Sequence, residues 1–552
     1  MYMHRRSILT HGIAGLAAAA VFPTACFAVD TKDVVVETTY GRLRGKVTDD
    51  LAVFRGIPYG ADTSGKNRFM PPQKPASWAG VRDAIDYGTT APQSIVGGGG
   101  GGGNEEGGSG PYWPRRGTRP PESEECLFLN VYSASMSTNT KAPVMVWLHG
   151  GGFTGGSGSD YRFDGSNLAR AGDVVVVTVN HRLNVFGFTY AGETGGADFE
   201  ASGAAGLLDV VAALQWVRDN IAAFGGDPSR VLIFGQSGGG RKVATLMSMP
   251  SAQGLFHRAV IESGAVLRLT PKDAAVRYTD MLLMELGLKR GQIRELQAVP
   301  IQNLLKANAV AARKMGAAEL GIVGYGASSP TVDGKTIPSD PWSPGAPAVS
   351  ANVPLMIGWC HTEETIDDHP TPEKMALDEA GLKSRLQKRL GVDPTEVIAV
   401  YRKANPGATP WDLYILIASD HPRGIYARYT ALLKAAQRTA PAYLYRFDFE
   451  TPEGGGHMRA PHSGEIPFVF RNIAVVGPLI SKMPEAYLLS DRVSAAWAAF
   501  AHTGNPTTPL LPRWPEYSAA KRDTMIFNKE CRVVQDPEAT SRKAMEKILH
   551  IS

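Results

Sequence analysis

The chain predicts an α/β fold built on a wound, mostly parallel sheet, and three observations carry that expectation. First, short apolar runs recur at residues 144–148, 174–179, 231–234, 259–261, 355–357 and 443–447. Their length suits buried strands of a parallel sheet, whose two faces are both covered. Second, helix-compatible stretches separate them. Segments 271–320 and 372–437 read as helices packed around the sheet, and the apolar spacing in 278–288 and 425–437 suits amphipathic helices. Third, no repeat or linker divides residues 29–552, so one domain with inserted helical segments is expected, with ample length to bury a core.

Taken from the start of the chain, residues 1–28 read as a targeting segment rather than as fold. Arg5-Arg6-Ser7-Ile8-Leu9 leads into an apolar run at 12–22, and Ala25-Cys26-Phe27-Ala28 offers small-residue cleavage sites. The paired arginines resemble a twin-arginine signal, which predicts export to the periplasm or beyond, with cleavage after Ala28. Cys26 raises lipidation as an alternative. The apolar run is shorter than the ~20 residues a spanning helix needs. Segment 95–121 contains an unbroken glycine run at 97–103, followed by Tyr112-Trp113-Pro114-Arg115-Arg116, and is expected to be a flexible loop. No Lys-Ser/Thr pair follows these glycines, so a phosphate-binding loop is not indicated.

The run at 144–148 ends in His149-Gly150-Gly151-Gly152-Phe153, the pattern of a lipase or esterase oxyanion loop. The run at 231–234 ends in Gly235-Gln236-Ser237-Gly238-Gly239 and opens into a helix-compatible stretch at 241–249, the strand–turn–helix context of a nucleophile elbow. Glycines two before and two after the serine permit a cramped turn that lifts its hydroxyl toward a base and a substrate. Attack by Ser237 on an acyl carbonyl makes the carbonyl oxygen negative, and that oxygen must meet preorganised N–H donors. The amides of Gly151, Gly152 and Gly238 are the expected oxyanion hole. Together the two glycine clusters point to an acyl hydrolase.

Further stretches extend this reading into a resemblance. Phe54-Arg55-Gly56-Ile57-Pro58-Tyr59, Ser123-Glu124-Glu125-Cys126-Leu127-Phe128-Leu129-Asn130, Asn180-His181-Arg182-Leu183, Asn220-Ile221-Ala222-Ala223-Phe224-Gly225-Gly226-Asp227-Pro228 and Trp514-Pro515-Glu516-Tyr517 flank the elbow in order. The chain resembles the type-B carboxylesterases, a group with the α/β-hydrolase fold that includes cholinesterases and bacterial para-nitrobenzyl esterases. The resemblance implies the order serine, acid, histidine. Five residues past Gly358 it assigns the acid to Glu363, with neighbouring Glu364 as competitor and a solvated loop carboxylate as the expectation for one of the two. It assigns the base to His462, in Ala460-Pro461-His462-Ser463-Gly464-Glu465, over His457, which follows Gly454-Gly455-Gly456 and reads as a loop histidine. Ser263 and Glu465 match positions that support the histidine from behind.

The implied function is a carboxylic-ester hydrolase that works through an acyl-enzyme on small to medium or bulky neutral esters. Amide or carbamate hydrolysis on the same triad is the alternative, and a non-catalytic adhesion role, known for this fold, is a further one. Neutral Gln236 stands where many relatives carry glutamate, which argues against choline esters. Gly238 stands where they usually carry alanine, and predicts a looser turn. Ala91-Pro92-Gln93 replaces a cysteine-containing stretch, so Cys126 loses the disulfide partner the family provides, and loop 95–121 becomes a candidate lid. The chemistry calls for no metal or organic cofactor, and no zinc-type ligand spacing occurs. With 57 Lys and Arg against 53 Asp and Glu, the net charge of +4 gives nucleic-acid binding no support. No long apolar segment elsewhere predicts a membrane span.

Overall fold

The computed structural model describes residues 31–93, 120–137, 139–319, 328–475, 477 and 480–551. The expected leader at 1–28 and nearly all of loop 95–121 lie outside the described residues. The described strands are β1 (Thr31–Thr38), β2 (Gly41–Thr48), β3 (Leu51–Pro58), β4 (Val81–Asp83), β5 (Phe128–Ser133), β6 (Ala142–Leu148), β7 (Val175–Val179), β8 (Gly226–Gln236), β9 (Arg258–Glu262), β10 (Thr270–Pro271), β11 (Thr331–Val332), β12 (Leu355–Cys360), β13 (Ala442–Phe447), β14 (Asp523–Phe527) and β15 (Arg532–Gln535). The main sheet runs β1-β2-β3-β5-β7-β6-β8-β9-β12-β13-β14-β15, with β4 pairing β2, while β10 and β11 pair separately.

From β7 to β14 every pairing is parallel. These strands include every apolar run singled out in the sequence. The flanks β1-β2-β3-β5-β7 and β14-β15 are antiparallel and were not foreseen. Antiparallel strands can face water on one side, and β1 carries only the short run Val34-Val35-Val36, flanked by polar residues and with Val35 exposed, so it does not stand out as a strand buried on both faces.

Both faces of the central sheet are buried because side chains alternate across it. Val144, Val146, Leu148, Val231 and Ile233 face one layer, where Leu207, Val210, Leu214 and Val217 of helix Ala205–Asn220 pack. Met145, Trp147, Leu232 and Phe234 face the other, against Leu489, Val493, Trp497 and Phe500 of helix Pro484–Thr503. The helical segments appear where expected, at Lys272–Glu285, Ile293–Gln297 and Ile301–Glu319, and from Pro372–Met375 to Ile425–Ala436. Cys126, Cys360 and Cys531 are free thiols. Among the described residues no helix is long and apolar enough to cross a membrane.

Candidate active site

Parallel registry aligns the strand ends that matter. Leu148 lies opposite Gly235, Gln236 opposite Glu262, and Gly358 opposite Glu262. The loops after β6, β8 and β12 therefore leave the same carboxyl edge, where wound sheets place their ligand sites.

Ser237 sits at that edge with φ of +56° and ψ of −120°. Such a backbone costs a non-glycine residue about 1–3 kcal/mol. It is held by its own N–H donating to the Glu262 carbonyl at 2.8 Å and by its carbonyl accepting from Arg241 N–H at 3.0 Å. Helix Gly238–Leu246 begins immediately, tight against β6. A Cβ on Gly239 would lie 1.8 Å from the Leu148 carbonyl oxygen, so only glycine allows the close approach.

Glu363 follows β12 and is fully buried. Its Oε1 accepts the Cys360 N–H at 2.8 Å, and its Oε2 pairs with His462 Nδ1. Two further bonds tie the loops together: Thr362 N–H to the Ala460 carbonyl at 3.1 Å and Ala460 N–H to Thr362 Oγ1 at 2.9 Å. A carboxylate only accepts, so this contact places a proton on Nδ1 and leaves the Nε2 lone pair available. Burial pushes the Glu363 carboxyl up, but the His462 ring, its hydrogen bond and the Arg423 guanidinium outweigh burial and hold it below its ordinary range. For His462, burial and then Arg423 act downward, and they prevail over the upward pull of Glu363 and Asp367.

The Ser237 hydroxyl makes no hydrogen bond with His462 among the described residues; such contacts commonly tighten only around a bound substrate. Instead the Gln236 amide nitrogen packs 3.3 Å from both ring nitrogens, and its oxygen accepts from Ser463 Oγ at 3.0 Å. Above the serine, Gly151 and Gly152 take positive φ of +85° and +64°. Among the described residues the amides of Gly151, Gly152 and Gly238 donate to no acceptor, so three N–H donors stand unused around the elbow.

Comparison with known proteins decides what such a site belongs to. Residues 32–545 match the carboxylesterase family. The chain belongs to that family. The carboxylesterase is 34% identical over 515 residues to the para-nitrobenzyl esterase of Bacillus subtilis (strain 168), covering 93% of this chain and 98% of the relative. It is 32% identical over 503 residues to the phenmedipham hydrolase of Pseudarthrobacter oxydans, covering 90% and 95%. The solved carboxylesterase of Geobacillus stearothermophilus superposes with a TM-score of 0.78 at 36% identity, covering 93% of this chain and 99% of that one. The protein is thus a carboxylic ester hydrolase with the α/β-hydrolase fold.

The esterase buries two further carboxylates, Glu465 close enough to feel the charge of Glu363 and Glu262 close to Glu465. Glu465 accepts from Ser263 Oγ at 3.3 Å and from the Cys360 thiol at 3.0 Å. Glu262 accepts from Trp497 Nε1 at 2.7 Å on one oxygen, while the other has no partner. Burial, and then the negative charge of Glu363, push Glu465 up to about 7. Burial, and then Glu465, raise Glu262 as well. Ser263 and Glu465, the two positions the resemblance singled out, are buried and hydrogen-bonded to each other; Glu262, one residue before Ser263, was not singled out, because it belongs to no motif.

Two expectations are overturned. Glu364 is not a solvated loop carboxylate: it is buried and paired with both Nη atoms of Arg389 at 2.6 and 2.8 Å. Gly238 does not loosen the turn, because Gly152 backbone fills the space beside it. Lys242, unremarked in the sequence, is fully buried and donates to the His149 carbonyl at 2.9 Å, with no carboxylate pairing it among the described residues. His457 is exposed beyond the turn Glu453–Gly456.

Proposed function

We propose that the esterase cleaves neutral esters through an acyl-enzyme on Ser237. His462 Nε2 takes the Ser237 proton as Oγ attacks the carbonyl carbon. Glu363 holds the Nδ1 proton and stabilises the imidazolium. The carbonyl oxygen becomes an oxyanion bonded by the amides of Gly151, Gly152 and Gly238. Collapse breaks the bond to the alcohol oxygen, which leaves with the proton from His462. A water then gives its proton to His462, attacks the acyl carbon and releases the acid, restoring Ser237.

The observation that carries this reading is the buried Glu363–His462 pair beside a strained serine ringed by unused amide donors. Bulky and short neutral esters are the proposed substrates, since Gln236 supplies no charge to attract a cationic alcohol. The test is turnover of a short para-nitrophenyl ester by the wild type and by folded Ser237→Ala. We expect a burst of para-nitrophenol from the wild type and loss of several orders of magnitude in the variant. Full activity in folded Ser237→Ala would overturn the reading. The relative named phenmedipham hydrolase supports a second reading, hydrolysis of carbamates on the same serine. Matched ester and carbamate series with one leaving group distinguish the two.

A further inference from the structure

Arg423 stands in the turn 420–424 between helices Pro410–Ser419 and Ile425–Ala436, with its side chain only 13% exposed. No motif marks it. Its Nε lies 3.7 Å from Glu363 Oε2, the same oxygen that meets His462 Nδ1. Its Nη1 lies 3.7 Å from Glu364 Oε2, and its Nη2 donates to Asp367 Oδ2 at 3.1 Å. Nε and Nη1 make no hydrogen bond. The guanidinium is therefore held among three carboxylates chiefly by charge, and it remains protonated there.

We propose that Arg423 is a positioning residue for the Glu363–His462 pair, drawing on the oxygen that His462 uses and thereby setting the low-pH edge of activity. This rests on His462 being the general base. A carboxylate oxygen that also faces a guanidinium has less negative charge to offer an imidazolium. The nearby cation itself opposes a second positive charge on the ring. Both effects keep the imidazole neutral, and able to accept a proton, in more acidic medium. The charged groups acting on His462 are Glu363 and Asp367, which favour its cation, and Arg423, which opposes it. Facing Arg423 are Glu363, Glu364 and Asp367, and Glu364 is itself paired to Arg389. Asp367 is the weakly covered member, 29% exposed in its side chain.

The experiment is the pH profile of kcat/KM on para-nitrophenyl acetate, which reports the free enzyme's essential base. Arg423→Met is expected to move the acid limb upward by about one pH unit, costing about tenfold in rate below it. Arg423→Lys keeps the charge and should restore most of the wild-type limb. Asp367→Asn removes a negative charge and leaves Arg423 less neutralised, so its limb should move the other way. Opposite shifts cannot come from loss of structure alone. Because Asp367 also acts on His462 directly, its shift reports the charge at His462 rather than the role of Arg423. If Arg423→Met fails to fold, Arg423→Gln, which removes the charge but keeps an amide donor for Asp367, decides the matter by the same upward shift. Limbs that coincide with the wild type in the folded variants, with only uniform losses in rate, would overturn the proposal. Ser237→Ala separates the layers: if it stays active the underlying mechanism falls too, and if it is inactive while the limbs coincide, only the role of Arg423 falls.

Discussion

Gly238 has no side chain, and the room a methyl group would need is taken by Gly152: an ideal Cβ would lie 2.1 Å from the Gly152 carbonyl oxygen and 2.5 Å from its nitrogen. The first residue of the helix Gly238–Leu246 thus rests directly on the glycine loop after β6. Family pattern alone would make Gly238→Ala a harmless change. The contact says otherwise, because backbone must move to admit the methyl and the Gly152 amide moves with it. Gly238→Ala is expected to lower kcat by about tenfold or more, short of the ~10²–10³ for outright loss of one donor, with little change in unfolding temperature. Steady-state kinetics beside a thermal melt check it, and unchanged kcat would show that the loop shifts without cost.

Glu363 and its neighbour separate cleanly by substitution. Glu363→Gln keeps the shape but removes the acceptor charge that fixes the His462 tautomer, so kcat should fall by about 10³–10⁴. Glu364→Gln should leave kcat within a few fold but cost about 1–3 kcal/mol of stability, because Arg389 loses a bidentate partner. If Glu364→Gln abolished turnover in a folded protein while Glu363→Gln did not, the acid would be misassigned.

Among the described residues no anion pairs with Lys242, and burial, then the Arg241 charge, bring it down to about 7. Its ordinary value is 10.5. Between these values the unfolded chain binds a proton that the folded chain does not, so this group's contribution to stability rises with pH across that window. Below about 7 the folded state bears the full cost of the buried charge. Lys242→Met should therefore raise the unfolding temperature at pH 6 relative to wild type, and the gain should shrink by pH 9. An advantage that is flat across pH would mean that the His149 carbonyl bond, not the charge, dominates this site.

Glu262 and Glu465 give the opposite slope. The Glu465 carboxyl is raised from 4.5 to about 7, so between these values the folded state holds a proton the unfolded chain has released, and stability falls as pH rises. Glu262→Gln removes one like charge from the pair while keeping an acceptor for Trp497. The variant should melt higher than wild type at pH 8 and show little difference at pH 5. Melts at the two pH values decide it, and equal shifts at both would contradict a charge-based cause.

Much of the fold was legible because the central strands are buried on both faces and read as continuous apolar runs. The antiparallel flanks were not legible, since strands such as Thr31–Thr38 owe their place to pairing rather than to composition. Within the site, Ser237 and the Gly151–Gly152 loop announce themselves by local backbone need. Glu363 and His462 were identified only through resemblance to a family, as nothing in their own neighbourhoods distinguishes them from other loop carboxylates and histidines.

The sequence by itself determined where strands end in glycine-bounded turns, because backbone strain and strand burial are local demands written in neighbouring residues. Tertiary structure alone decided that Glu363 and His462 meet across 99 positions, that Gly152 rests on Gly238 and that Arg423 shares an oxygen with the histidine. It also decided that Lys242 is enclosed without a counter-ion among the described residues. Charge, close approach and desolvation act through space, and spacing along a chain carries no record of which distant groups the fold will bring within a few ångströms.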